Sequence, residues 1–190
     1  LNFIDINGDG IVDSNDRIPI GYSDFPEITF GLNLGFRWKD LEFSALLQGA
    51  TNVTHYLKQE AVCPLYYGRS AQKWHLGRWT EERYLAGEEI TYPRMLSDNI
   101  NSPSFINPDP LSTFWLMDAT YLRLRNVELA YNFRFKALGK AGISNIRLAL
   151  SGNNLLTWTG VRNYDPESPS GKGDFYPMQK VYNVGLKIIF

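Results

Sequence analysis

The sequence predicts an all-β fold of long antiparallel strands, on three observations. Apolar residues recur at a spacing of two rather than three or four. Glycine (16), tyrosine (11), phenylalanine (11) and tryptophan (5) are plentiful among the 190 residues, a composition that suits strands and turns. The connections between the alternating segments are long and short by turns. Successive side chains of a strand point to opposite faces, so sustained alternation makes one face apolar and the other polar.

The first such segment, Ile28 to Trp38 (ITFGLNLGFRW), sets Ile28, Phe30, Leu32, Leu34, Phe36 and Trp38 against Thr29, Gly31, Asn33, Gly35 and Arg37. After a tight turn at Lys39 and Asp40, LEFSALLQGA sets Leu41, Phe43, Ala45 and Leu47 against Glu42, Ser44 and Gln48, with Leu46 out of phase. The two make a hairpin. From Thr51 to Met117 no period is sustained and Pro64, Pro93, Pro103, Pro108 and Pro110 intervene, so this is a long loop with short helical or strand pieces around Ser70 to Glu82. YLRLRNVELAYNFRF then sets Val127, Leu129, Tyr131, Phe133 and Phe135 against Asn126, Glu128, Asn132 and Arg134. Leu122 and Leu124 lie in the opposite phase, which predicts a bulge there or the end of the apolar environment. A fourth strand, SNIRLALSGNNLLTW, carries Ile146, Leu148 and Leu150 on one face, and VYNVGLKIIF carries Tyr182, Val184, Leu186, Ile188 and Phe190 on one face.

Five strands joined by loops that are long at one end and short at the other are the pattern of a transmembrane β-barrel, with short periplasmic turns and long extracellular loops. Segments of about nine to eleven residues have the length to cross a bilayer when tilted. Trp38, Tyr131, Phe133, Phe135, Tyr182 and Phe190 lie at strand ends, where interfacial aromatic girdles form. By parity the last strand ends on the periplasmic side. The competing fold is a secreted β-sandwich, a calcium-binding glycan-binding or adhesive module, in which the same apolar rows face a second sheet. Five strands cannot close a membrane barrel, so the remainder is expected upstream of Leu1. The domain organisation expected is an extracellular loop over 1–27, a barrel hairpin over 28–50, a long extracellular loop over 51–117 and the last three barrel strands over 118–190.

The 19 basic and 20 acidic residues nearly balance, which removes the electrostatic case for a nucleic-acid partner. No apolar run is long enough for a membrane-spanning helix. Cys63, the single cysteine, excludes an internal disulfide and a cysteine-rich zinc site; beside Pro64 and without a partner base, it reads as a buried thiol.

DINGDGIVDSND matches a twelve-residue calcium loop, with Asp5, Asn7 and Asp9 at positions 1, 3 and 5, Gly10 at 6, the Ile11 carbonyl at 7, Asp13 at 9 and Asp16 at 12. Oxygens two residues apart on a curling backbone point to one centre, and Gly10 permits the sharp reversal. Position 12 is Asp instead of the bidentate Glu, and Pro19 stands against a long exiting helix, so a lone loop holding a structural Ca2+ ion is expected. The bland counterpart is an acidic surface turn whose carboxylates are solvated.

Nothing points to an enzyme. HExxH, GxSxG and Walker sequences are missing, and SGKG lacks the upstream glycine of a phosphate loop. His55 and His75 are expected on the surface of the long loop. Aromatic residues of that loop suit sugar recognition, with Trp74, Trp79 and Tyr66 as substrate-binding candidates; packing within the loop is the plainer role.

Several stretches together resemble the C-terminal part of SusC/RagA-type TonB-dependent outer-membrane transporters of the Bacteroidetes: Asp5 to Ala50, RWTEERY with YPRM at Arg78 to Met95, DATYLRLRNVELAYNF at Asp118 to Phe133, LALSGNNLLTWTG with YDPE at Leu148 to Glu167, and the closing YNVGLKIIF. The resemblance covers nearly the whole chain in order. It implies the final strands of a large plugged barrel in the outer membrane of a Gram-negative cell, with Phe190 as the terminal aromatic read in barrel assembly. It also implies uptake of an oligosaccharide or peptide substrate with a SusD-like surface lipoprotein as partner, energised by TonB through a plug region absent here, the strands lying in outer-membrane lipid. YLRLRNVELAYNF and YDPE resemble this branch more closely than siderophore receptors.

Overall fold

The computed structural model describes residues 4–58, 61–62, 64–65, 70–95, 112–134, 142–162, 164–168, 171, 175–176 and 178–190. The chain divides into two compact units. One comprises Phe25–Val53, Asp118–Glu167 and Tyr176–Phe190, the other Leu1–Asp24, Thr54–Met117 and Ser168–Phe175.

The first unit is a five-stranded antiparallel sheet of β1 (Ile28–Trp38), β2 (Leu41–Thr51), β5 (Tyr121–Phe133), β6 (Asn145–Thr159) and β7 (Val181–Ile189), paired in chain order. The expected hairpin is present: Trp38 faces Leu41 across a two-residue turn in which Lys39 takes a positive φ of 53°, the twist a two-residue hairpin demands. An eleven-residue strand rises about 36 Å, enough to cross a roughly 25 Å apolar band at a tilt.

The phase reversal in β5 is a bulge that runs across the sheet. Leu46 and Leu47 are adjacent in β2, yet they face Asn126 and Leu124, so β5 holds Arg125 as an extra residue. β6 holds two, Asn154 and Leu155, because Leu124 faces Leu156 and Asn126 faces Asn153; Asn154 has φ of 53°. The extra residue returns Leu122 and Leu124 to the same face as Val127 and Leu129.

β1 and β7 are exposed along their whole length. The apolar rows are therefore not sandwiched: Ile28, Phe30, Leu32, Leu34, Phe36, Tyr182, Leu186 and Phe190 are all exposed, as are Trp38 at 64% and Val184 at 76%. The β-sandwich alternative fails on this observation. Phe135 and Cys63 lie outside the described residues.

The second unit has its own elements in what the sequence reads as loop. β3 (Thr54–Tyr56) pairs with β4 (Leu116–Asp118), 3-10 turns form at Ser14–Asp16, Lys73–Gly77 and Thr113–Trp115, and one short helix, α1 (Glu81–Leu85), begins at Thr80, whose hydroxyl accepts the Arg83 N–H. Glu81 and Glu82 sit in its first turn, where carboxylates favour a helix N-terminus. Gly87, at φ 68°, follows its end. Leu57, Ala61, Val62, Tyr92 and Trp115 are buried. Rings stack edge to face within this core: Tyr92 on Trp115 at 5.6 Å and Phe114 on Trp115 at 4.6 Å.

Candidate functional site

The strand register builds two chemically opposite faces. On one, Phe36, Phe43, Leu129, Leu150 and Val184 form a row across all five strands, and Trp38, Leu41, Tyr131, Leu148 and Leu186 form the next. Leu32, Leu47, Leu124 and Leu156 make a further row beyond the bulge. Tyr131 and Phe133 pack ring to ring at 4.7 Å near the short-turn end. Gly49 sits opposite Phe30; a Cβ there would meet the Phe30 ring at 2.4 Å, so the missing side chain gives that ring its place.

The other face is charged or carries amides. Arg37 on β1 meets Glu42 on β2 at 2.7 Å, Arg147 on β6 reaches both Glu42 and, at 2.8 Å, Glu128 on β5, and Asn145 donates to Asn132 at 3.2 Å. In the middle, Asn126 donates to Asn153 at 2.7 Å. Alternating charge across neighbouring strands lets each partly covered ion keep an opposite partner.

At the end of the sheet remote from the Lys39 turn, Arg123 is buried, its side chain 2% exposed. Its Nε donates to Thr157 at 3.0 Å, Nη1 to Glu167 at 2.7 Å and Nη2 to Asp165 at 2.7 Å. Glu167 also accepts from the Tyr121 hydroxyl at 2.7 Å and from Arg125 at 2.9 Å. Burial pushes the neighbouring Tyr164 phenol up to about 12. In the sequence YDPE stands out only through the family resemblance, and the cluster is not visible there. The signal it had was an arginine on an apolar-flanked strand and a DPE triplet; nothing local linked the two.

The acidic loop curls as the motif requires, with Gly8 and Gly10 at φ of 77° and 87°. Asp5 accepts the Gly8 N–H at 2.6 Å and the Gly10 N–H at 2.7 Å, while Asp16 accepts from Ile6 at 2.7 Å and Asp13 at 2.8 Å. The Asp13 and Ile6 amides hold the Asp16 carboxyl below its ordinary range. Asp9 accepts from the Ile11 amide at 2.8 Å, Asn7 from the Asp9 amide at 2.9 Å and Asp13 from Asn15 at 2.7 Å. The donor set, four carboxylates, an amide and the Ile11 carbonyl, is all oxygen and chemically fits a hard cation. Among the described residues, however, no group of three or more His, Cys, Asp or Glu side chains is gathered to hold a metal. The amides occupy part of each carboxylate, so a cation would have to draw the oxygens inward.

Both histidines depart from the expected surface position. His55, on β3, and His75, in the 3-10 turn, are buried. The His75 Nδ1 accepts the Gln72 N–H at 2.8 Å and the ring packs on Tyr92 at 4.7 Å. Trp74 lies against His75 at 5.4 Å, and Trp79 has Tyr84 at 6.5 Å and the Arg94 guanidinium over its ring at 5.6 Å. Both tryptophans are half-buried. Tyr66 lies outside the described residues.

An antiparallel sheet with one uncovered apolar face and one charged face is membrane-barrel material. The comparisons agree. No family model matches the chain. Two TonB-dependent receptors of Formosa agariphila are 29% identical over 98% of this chain and 26% identical over 87% of it. Among solved structures, that of the RagAB peptide transporter matches with TM-score 0.68, 27% identity and 94% of this chain covered, and that of the RagAB peptide importer in an open-open state with TM-score 0.65, 28% identity and 95% covered. The chain is thus a homologue of TonB-dependent receptors, which are outer-membrane proteins of Gram-negative Bacteroidetes, and has the fold of a SusC/RagA-type transporter. It spans 19% of the first of those receptors and 19% of the RagAB chain.

Proposed function

We propose that this chain is the C-terminal barrel segment of a TonB-dependent outer-membrane importer of oligosaccharides or peptides. The apolar rows contact lipid, and the face of Arg37, Glu42, Asn126 and Arg147 lines a wet interior. The observation that carries this reading is the uncovered apolar face, continuous across five strands, opposite a face of paired charges. Bilayer hydrocarbon covers such a face without a second sheet. Strands beyond the open edges of β1 and β7 complete the barrel, since an unpaired edge is not tolerated in hydrocarbon. A SusD-like lipoprotein serves as partner and TonB acts through a plug outside these residues; the RagAB importers, described as peptide importers, support both the partnership and a peptide as one cargo class. The kinship with receptors and transporters supports a role in transport and not in catalysis. The intact protein is expected in the outer-membrane fraction and folded only in detergent or lipid, and cells lacking it should lose growth on its oligosaccharide or peptide source. A folded monomer in plain buffer overturns the membrane reading; undiminished growth on every such source overturns the import reading.

The loop of Asp5, Asn7, Asp9, Ile11, Asp13 and Asp16 is read as a structural calcium site on the extracellular approach to β1. The all-oxygen donor set at the calcium-loop spacing, on a backbone curled at Gly8 and Gly10, supports it. Calorimetric titration should show one calcium ion bound with an affinity of about 10⁻⁴ to 10⁻³ M, the range of extracellular modules, and Asp5→Ala should abolish it. Absence of binding at millimolar calcium refutes the site.

A further inference from the structure

We propose that the segment Asp165 to Glu167 is a strap fixed to the polar wall of the sheet by Arg123, and not a loop free to swing. The inference rests on the barrel reading for its meaning, because the polar face is then the lining of the passage. Arg123 and Tyr121 face Gln48 and Ala50 on β2 and Thr157 and Thr159 on β6, which places the strap at the long-loop end.

Three independent features hold it. The Arg123 guanidinium spends its planar fork on two carboxylates of one short segment, Asp165 and Glu167, and its Nε on Thr157, a geometry only arginine offers. Pro166 between them is buried and its ring restricts the backbone there, so the two carboxylates, two residues apart, are presented at little entropic cost. The segment is also tied to itself and to the approach of β7: the Glu167 N–H donates to Asp165 Oδ1 at 3.0 Å and the Met178 N–H to Asp165 Oδ2 at 3.3 Å. Freeing the strap would strip the buried Arg123 guanidinium of both carboxylate partners, which is strongly unfavourable. Cargo therefore passes beside this segment, which stays part of the wall.

Amide hydrogen exchange on the intact protein in detergent tests this. The Glu167 and Met178 amides are expected to exchange at least about 100-fold more slowly than an unstructured peptide, and Arg123→Met should accelerate both at least about tenfold while the amides of Leu129 and Leu150 are unchanged. Should Arg123→Met fail to assemble, Glu167→Gln, which keeps an acceptor for Tyr121 but drops the charge, should accelerate the same two amides. Glu167 exchanging at the unstructured rate in the unaltered protein, or variants that leave its exchange unchanged, would overturn the strap. Fractionation separates this from the membrane reading: slow Glu167 exchange in a protein found soluble refutes the barrel and keeps the strap, whereas fast exchange in an outer-membrane protein refutes only the strap.

Discussion

At the scale of single residues, the two buried histidines make the second unit sensitive to acid. Burial holds both His55 and His75 below the ordinary imidazole range; for His55 the Asp24 charge opposes it, and for His75 the Val62 carbonyl does, without a hydrogen bond of good geometry to Nε2. The Nδ1 of His75 must stay unprotonated to accept the Gln72 N–H. A histidine depressed in the folded state binds fewer protons there than when unfolded, so its stabilising effect is complete above the unfolded value of about 6.5 and drains away as pH falls toward the folded one. Limited proteolysis should therefore cut the unit faster at pH 5 than at pH 7.5. His75→Gln, which retains an acceptor for Gln72, should flatten part of that response, His55 supplying the rest. Equal cleavage at both pH values would remove this role.

At the scale of elements, the decisive device is the bulge that runs through β5 and β6. Because side chains alternate with a period of two, a one-residue slip turns every later side chain to the wrong face. Arg125 is the residue that prevents this: with it, Leu122 and Leu124 share a face with Val127, Leu129 and Tyr131, and Arg123 shares the polar face with Thr157. Deleting Arg125 should swing Tyr121 and Arg123 to the lipid side and bring Leu122 and Leu124 inward, or force β2 and β5 out of register. The expected result is loss of assembled protein in the outer membrane, while Arg125→Ala, which keeps the extra residue and loses only the contact with Glu167, assembles. Assembly of the deletion variant at the unaltered level would show that the bulge does not set the phase.

At the scale of the whole molecule, the two faces should respond oppositely to the same substitution. Leu34 and Asn33 are neighbours near the middle of β1 and point to different sides. Leu34→Arg places a cation against hydrocarbon near the bilayer midplane, a cost of about 2–4 kcal/mol, whereas Asn33→Arg enters the polar face and should be tolerated. Unfolding in denaturant with lipid vesicles reads the difference; equal effects would contradict the lipid-facing assignment.

Much of this architecture was legible in the chain itself. The alternation of Ile28 to Trp38 and of Leu41 to Ala50 marked both strands and their turn, because period-two patterning is a local property of backbone geometry. The reversed phase of Leu122 and Leu124 marked a bulge or the end of the apolar environment, and the strand register decides for the bulge. The burial of His55 and His75 and the core around Tyr92 and Trp115 were not legible, since polar, proline-broken sequence carries no period to show which residues a compact loop encloses. The strand pattern, the calcium-type spacing and the two-faced sheet thus belong to the sequence alone. Which way the apolar face looks, and the meeting of Arg123 with Asp165 and Glu167 some forty residues on, were decided by tertiary structure, because contacts between distant segments depend on how strands pair and fold over, which no local pattern encodes.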